Sequence, residues 1–274
     1  MNNVRLLNEK CQAHKRRALE MCLHAGAGHV TSAFSCAEIL TALYYDLMRI
    51  DHGNPAWEDR DRFVMSKNHG SVMLYPVLAD LGWITQEEAG TFLDDGSRLG
   101  MHSKLGTPGI EFSGGSLGIG FGVACGMAYA AKEDGSDRTV YALLGDGECY
   151  EGAVWESAIF AAHNKLSNLV VFLDRNGLCI TDYTEKMLQL DPFVDKWRAF
   201  GWHVSQTNGH DISAIIQTTR QCREENNEEK PVCIICDTIK GHGIDFMENR
   251  LFVHGVTPRG EWAKKALTQV GGDV

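Results

Sequence analysis

Proline is scarce in this chain, and positive charge is in deficit. Six prolines stand against twenty-nine glycines in 274 residues, a bias toward tight turns rather than toward disorder. Twenty-six basic residues against thirty-six acidic ones give a net charge of −10, which argues against binding nucleic acid or an anionic membrane surface. An acidic protein can still hold an anion such as diphosphate, but it then needs a metal ion or helix N-termini to do so. No stretch approaches the ~18 apolar residues that would span a bilayer. The N-terminal segment MNNVRLLNEKCQAHKRRALE is polar and amphipathic, with no apolar signal core. A Walker A motif is absent, and the glycine-rich GGSLGIGFG contains no GxGxxG. No repeat, low-complexity tract or linker divides the chain, so residues 1–274 are expected to form one domain.

Hydrophobic residues make up 44% of the sequence and charged ones 23%, as in an ordinary globular protein with a substantial core. The nine cysteines are scattered singly, and the one CxxC, Cys233 and Cys236, lies in the apolar run PVCIICDTI. Two reduced thiols in a buried strand, in a reducing cytoplasm, fit better than a redox or zinc site.

Apolar positions at helical spacing predict a helix over residues 4–25, broken by Gly26 to His29. A second helix is predicted over 35–48, with Ser35 as N-cap and Glu38 as its capping-box partner. DRFVMS (61–66) reads as a short strand, followed by a turn and a helix through about Leu81. Residues 96–113 read as loop, and 114–132 as a helix of small residues packed closely against a neighbour. The runs RTVYALL and NLVVFLD have the continuous apolar character of buried parallel strands, with helical spacing at 151–164 between them. WHVSQ, a helix at 211–225 and PVCIICDTI continue the alternation. This order predicts an α/β fold, a doubly wound parallel sheet with helices on both faces. The polar tail beyond about Gly255 is expected to order only against a partner.

The strongest chemical signal is Gly145-Asp146-Gly147, directly after the strand RTVYALL. Ligands of open α/β sheets bind beyond the carboxyl ends of the strands, and flanking glycines let backbone approach a phosphate there. Asn176 follows at the end of the next apolar strand. Two adjacent strands would thus bring a carboxylate and a carboxamide to one edge of the sheet. With a backbone carbonyl from the following turn they form half of an octahedral oxygen shell, which two diphosphate oxygens and a water would complete around Mg²⁺ or Ca²⁺. Gly-Asp-Gly alone is a common turn; the joint pattern of strand, GDG, helix, strand and Asn is what carries the reading.

GDGECYEGAVWESAIFAAHNKLSNLVVFLDRNGLCI resembles the thiamine-diphosphate signature, and its E-G followed by a second Glu (Glu151, Gly152, Glu156) is similar to transketolases. The resemblance extends to AGAGHV around His29, SKNHGS around His69, GMHSK around His102, GGSLGIG at 114–120, and KGHGIDFMENRLFVHG ending at His254. It implies the diphosphate-binding domain of the thiamine-diphosphate fold, transferring a two-carbon ketol unit from an anionic ketose to an aldose. Asp146, Asn176 and the carbonyl of Leu178 would hold the metal, Mg²⁺ or alternatively Ca²⁺ or Mn²⁺. The cofactor, thiamine diphosphate, would meet Gly147, the turn Gly115-Ser116-Leu117, His69, Asn176 and His254. His29, His102 and His254 would be the catalytic histidines at the sugar, since imidazole moves protons near neutral pH. Glu151 would also meet the cofactor, and Glu151 and Glu156 would lie at the subunit interface in a proton network; without the resemblance they could simply favour a helix N-terminus.

Four positions depart from the family pattern. Val30 and Ser103 stand where proline usually follows a histidine, Ile119 replaces Gln in GSLGQG, and Arg175 replaces Asp before Asn176. None removes a metal ligand, and the first two border the sugar site, so the sugar need not be the usual pentose phosphate. Full-length transketolases carry a further domain whose glutamate protonates the cofactor's aminopyrimidine. This chain stops where split transketolases stop, which implies an N-terminal subunit working in an α2β2 assembly with a C-terminal subunit that carries the pyrimidine domain. Alternative readings are a subunit of another thiamine-diphosphate enzyme, resembling deoxyxylulose-phosphate synthase or 2-oxo acid dehydrogenase, and a non-catalytic cofactor-binding subunit. The four histidines argue against the dehydrogenase, which has no ketose hydroxyls to handle.

Overall fold

The apolar runs pair into one parallel sheet, and a computed structural model describes residues 2–271 of it and its surroundings. Helix α1 (Asn2–Ala25) is followed by the short helices α2 (Val30–Phe34) and α3 (Ala37–Ala42) and a π-helical turn over Leu43–Leu47. Strand β1 (Arg62–Met65) leads through a tight turn into α4 (Ser71–Asp80) and the single turn α5 (Gln86–Ala89). Then come α6 (Ile119–Glu133), β2 (Val140–Gly145), α7 (Gly152–His163) and β3 (Leu169–Arg175). The short α8 (Thr184–Met187) and α9 (Phe193–Ala199) precede β4 (His203–Asn208), α10 (Ile212–Glu224), β5 (Val232–Asp237) and α11 (Glu261–Gln269).

The strand order is β1-β2-β3-β5-β4, all parallel. Successive side chains point to opposite faces, so β1, β2, β3 and β5 feed two cores, while the edge strand β4 buries only Val204. Tyr141, Leu143, Val170, Phe172 and Ile234 join a cluster with α1, α3, α4 and α10, while Ala142, Leu144, Val171, Leu173 and Ile235 join one with α6, α7 and α9. Cys233 and Cys236 fall on opposite faces, buried and free, because three residues along a strand is an odd step. The doubly wound architecture expected from the sequence is the one observed.

Three local expectations change. The predicted 35–48 helix is two pieces, and Ser35 caps nothing at its start. Ser35 sits at the C-terminal end of α2, its hydroxyl donating to Asp174 at 2.6 Å, while Glu38 accepts from Lys15 at 2.6 Å and pairs with His210 at 3.0 Å. Buried charged partners outcompete a local capping box, since each ion must be matched inside the core. The small-residue helix begins at Ile119 rather than 114, because Gly118 takes the left-handed conformation (φ 82°) that ends the preceding turn. The tail past Gly255 is partly helical within this chain: Ala266 of α11 is buried in the α1-side core, and Trp262 packs on Phe246 with ring centroids 4.7 Å apart.

The register explains why chemistry gathers at one edge. Gly145 lies opposite Asp174, and Arg175 opposite Asp237, so β2, β3 and β5 end together. Helix α6 is drawn onto the same edge by its small residues. A Cβ on Gly120 would lie 2.9 Å from the backbone Cα of Ser66, so only glycine allows this approach.

Candidate active site

Asp146 leaves β2 and turns back over its own strand end. Its carboxylate accepts from the Gly147 N–H at 2.8 Å and the Gly177 N–H at 2.6 Å, with an Arg175 guanidinium nitrogen 3.7 Å away. It is 1% exposed. Burial, and then the charge of nearby Asp174, pushes its pKa up to about 6. A buried carboxylate in this state lacks a full counter-charge, which a divalent cation would supply. Asn176 turns its carboxamide beside it, the oxygen accepting from the Leu178 N–H at 3.2 Å. Asp146, Asn176 and Leu178 line one cavity of about 350 Å³, together with Gly147, His69 and His254. One carboxylate, one carboxamide and one carbonyl are hard oxygen donors, the set that Mg²⁺ accepts.

The walls carry positive charge. The Lys67 ammonium donates to the Ser32 carbonyl at 2.9 Å and pairs with Asp174, a fully buried carboxylate that also accepts from Ser35 and Thr238. Burial opposes both charges, yet Lys67 is raised and Asp174 lowered from their ordinary values, because each is the other's counter-ion. Lys240 reaches in from the loop after β5, 3.4 Å from the carbonyls of Leu178 and Cys179. Burial, then repulsion from Lys67, lowers its pKa to about 8.

Four imidazoles from four separate segments cluster here: His69 and His254 line the cavity, and His29 and His102 pack against them. His29 and His69 have ring centroids 4.8 Å apart, His29 and His254 4.9 Å, and His69 and His102 4.9 Å. Burial, reinforced by neighbouring imidazoles and lysines, lowers His29 and His69 to about 4 and His254 to about 3. These three are therefore neutral at pH 7, each offering one donor and one acceptor. His29 Nδ1, His102 Nδ1 and His254 Nε2 are buried without a hydrogen-bond partner among the described residues. Buried orphan atoms of this kind are expected where a polar ligand completes the site.

The turn 114–118 closes one side. Leu117 lines the cavity, and Gly115 lies beside His102, its Cβ position 3.8 Å from the ring. Ser116 is exposed in that turn and is not among the cavity's walls. Glu151 and Glu156 are exposed on α7, outside the cavity, and Glu151 starts that helix without a side-chain capping bond. A second carboxylate that lines the cavity, beside Asp146, is Glu148, which its residue type alone does not single out. It accepts from the Gly118 N–H at 2.8 Å, the Gly145 N–H at 3.1 Å and the Ser66 hydroxyl, tying the 114–118 turn to the end of β2. Its place directly after Gly147 was the available signal. Lys67, Lys240 and Asp174 were also missed, each adjacent or nearly so to a motif residue.

Fold and site together define an α/β cofactor domain, with oxygen donors at the strand ends and imidazoles above them. The profile of the family described as transketolase, thiamine diphosphate binding domain, matches residues 8–273, and the chain belongs to the transketolase family. It is 40% identical over 265 residues to the 6-deoxy-6-sulfo-D-fructose transketolase subunit SqwG of Clostridium sp. (strain MSTE9), covering 96% of each chain. It is likewise 40% identical to one of the subunits of the apulose-4-phosphate transketolase of Phocaeicola vulgatus, over 97% of this chain and 94% of that one. The crystal structure of transketolase from Campylobacter jejuni superposes with a TM-score of 0.89 at 30% identity, over 98% of this chain and 43% of that one. The chain is thus a thiamine-diphosphate-dependent transketolase subunit of the N-terminal type, and it spans less than half the length of the single-chain transketolase.

Proposed function

We propose that this chain anchors thiamine diphosphate and Mg²⁺ for a two-subunit cytoplasmic transketolase that moves a two-carbon ketol unit from an anionic ketose to an aldose. The observation that carries the proposal is the convergence of Asp146, Asn176 and Leu178 on a cavity lined by His69 and His254, with His29 and His102 packed against those two rings. In this reading those three residues hold the metal. Gly147, Asn176, the Gly115-to-Leu117 turn, His69 and His254 hold the diphosphate, with Lys240 balancing its charge. Ca²⁺ or Mn²⁺ could replace Mg²⁺ in an oxygen shell of this kind.

Thiamine diphosphate, when bound, supplies a nucleophilic carbon able to take up and give back a ketol unit. The chain's own part is to place the sugar. His29, His102 and His254 present ring nitrogens to its hydroxyls, and the neutral rings of His29 and His254 can accept a proton from them. Free, mostly buried cysteines support a reducing cytoplasm.

A separate subunit would supply the pyrimidine-binding half. Supporting this, the chain covers nearly the whole of two relatives named as subunits but 43% of the single-chain enzyme. Exposed Ile119, Ile159 and Phe160 on α6 and α7 give it an apolar surface for assembly, in keeping with an α2β2 arrangement. The two subunit relatives are named for a sulfonated and a phosphorylated sugar, which supports an anionic ketose here. Calorimetric titration of thiamine diphosphate with Mg²⁺, and a ketol-transfer assay, would be run on the chain alone and with a pyrimidine-domain subunit. Turnover only in the mixture is expected; full turnover by the lone chain, or no cofactor binding in the mixture, would overturn the proposal.

A further inference from the structure

His69 and His102 come from segments far apart in sequence, yet one buried side chain lies between them. Asn68 is fully buried, and its carboxamide is hydrogen-bonded through both its nitrogen and its oxygen. Its amide nitrogen donates to the Met65 carbonyl at 3.0 Å and to Ser103 Oγ at 2.8 Å. Its oxygen accepts from the Ser103 N–H at 2.7 Å, and the Ser71 hydroxyl, which donates to the Asn68 main-chain carbonyl at 2.6 Å, lies 3.1 Å from it. The orientation of the amide is fixed by these partners, because the Ser103 N–H can only donate and the Met65 carbonyl can only accept.

Asn68 therefore grips Ser103 twice, by backbone and by hydroxyl, immediately next to His102. Proline, the usual family residue at this position, has neither N–H nor hydroxyl, so it could make neither half of this grip. Ser103 passes the constraint on: its carbonyl accepts from the Gly114 N–H at 3.2 Å and its hydroxyl donates to the Phe112 carbonyl at 3.4 Å. Gly114 has no room for a side chain, since a Cβ there would collide with the Asn68 carboxamide. Asn68, Ser103 and Gly114 thus form one packed unit. It joins the residue before His69, the residue after His102 and the turn that carries Gly115 and Leu117.

We infer that Asn68, acting through Ser103, is a positioning residue that sets His102 against His69 and so shapes the sugar end of the site. His102 makes no side-chain hydrogen bond at Nδ1, so nothing on the ring itself holds it from that side. Its position must be inherited from the backbone on either flank, where Asn68 holds Ser103 immediately after it and the Tyr75 hydroxyl donates to the Gly100 carbonyl two residues before it. Displacements of about an ångström in such a group can cost up to about a hundredfold in rate. The inference rests on the reading of His102 as a sugar-contacting residue, and the experiment separates the two.

The assay is ketol transfer by the assembled enzyme, with Asn68→Ala, Ser103→Ala and His102→Ala compared against wild type. Cofactor affinity is measured by calorimetry, and the imidazole nitrogen resonances of ¹⁵N-histidine-labelled chain are followed by NMR. Asn68→Ala is expected to lower kcat/KM for the ketose roughly tenfold to a hundredfold through placement. It should also shift the His102 resonances and leave thiamine diphosphate affinity within about twofold. Ser103→Ala, which keeps the N–H and loses only the hydroxyl, should shift the same resonances less and serves as the reading if Asn68→Ala fails to fold. A folded Asn68→Ala or Ser103→Ala chain with unchanged kinetics and unchanged His102 resonances overturns the inference. If His102→Ala itself leaves sugar kinetics unchanged, the underlying reading of the site fails instead.

Discussion

Lys67 and Asp174 form an ion pair in which neither side chain is more than 7% exposed, and the pair braces the cavity between β1 and β3. Two loops hang from it. Asp174 takes hydrogen bonds from Ser35 and Thr238, and Lys67 donates to the Ser32 carbonyl, so the segments leading to His29 and Lys240 are both tied to the end of β3.

Replacing Asp174 by Asn keeps the shape and removes the counter-ion. An unpaired buried ammonium costs about 3–5 kcal/mol. Asp174→Asn should therefore lower the urea or guanidinium unfolding free energy by about that amount, whereas Lys67→Met combined with Asp174→Leu should recover much of it. A loss in the single variant below about 1 kcal/mol would mean that the pair is solvated rather than buried.

Asp146→Asn and Asn176→Ala test the proposed metal shell. Each alters one of three protein oxygen donors, and Asp146→Asn removes the only carboxylate among them. Affinity for Mg²⁺ and thiamine diphosphate, titrated together on the assembled enzyme, should fall by about tenfold or more for Asn176→Ala and further for Asp146→Asn. An unchanged affinity in Asp146→Asn would place the metal elsewhere.

His14 makes stability depend on pH. It is buried in α1 beside Tyr45, 2.9 Å from its hydroxyl, and burial lowers its pKa to about 4 from an ordinary value of 6.5. Between those values the unfolded chain binds the proton and the folded chain does not. Stability is therefore intact above about pH 6.5 and declines as pH falls toward 4, by roughly 2–3 kcal/mol from this group. The other buried histidines act in the same direction, so the measurement is the difference between wild type and His14→Gln across the range from about pH 7 to about pH 5. Parallel pH profiles for the two would contradict the assignment.

Two glycines of α6 should respond oppositely to alanine. Alanine favours a helix over glycine by about 1 kcal/mol. At Gly126 nothing lies within 4 Å of the added Cβ, so Gly126→Ala should raise the melting temperature. At Gly120 the Cβ would strike the Ser66 backbone at 2.9 Å, and overpacking of about 1–3 kcal/mol outweighs the helical gain. A rise in both variants would show that α6 can retreat from β1.

Much of this architecture is written in local pattern. Apolar runs and helical spacings mark the strands, most clearly β2, β3 and β5, because strands buried on both faces must be apolar nearly throughout, whereas the edge strand β4 is half polar. Gly145-Asp146-Gly147 and Asn176 could be matched to one sheet edge for the same reason: parallel strands separated by one helix end on the same side. The short helices α8 and α9 escaped notice, since four to seven residues carry too little periodicity to stand out.

What no local pattern contains is the identity of a side chain's partner. Ser35 and Glu38 have the spacing of a capping box, yet they bond to Asp174, Lys15 and His210, residues more than twenty positions away. Glu148 looks like any acidic residue in a turn until Gly118 and Ser66 are brought against it. The same holds for Asn68 and Ser103. The sequence determined the sheet, its polarity and the edge where chemistry gathers, because those follow from periodicity and backbone hydrogen bonding. The tertiary structure decided which charges are buried together and how the four imidazoles face one another, because desolvation and packing act only between residues the fold has made neighbours.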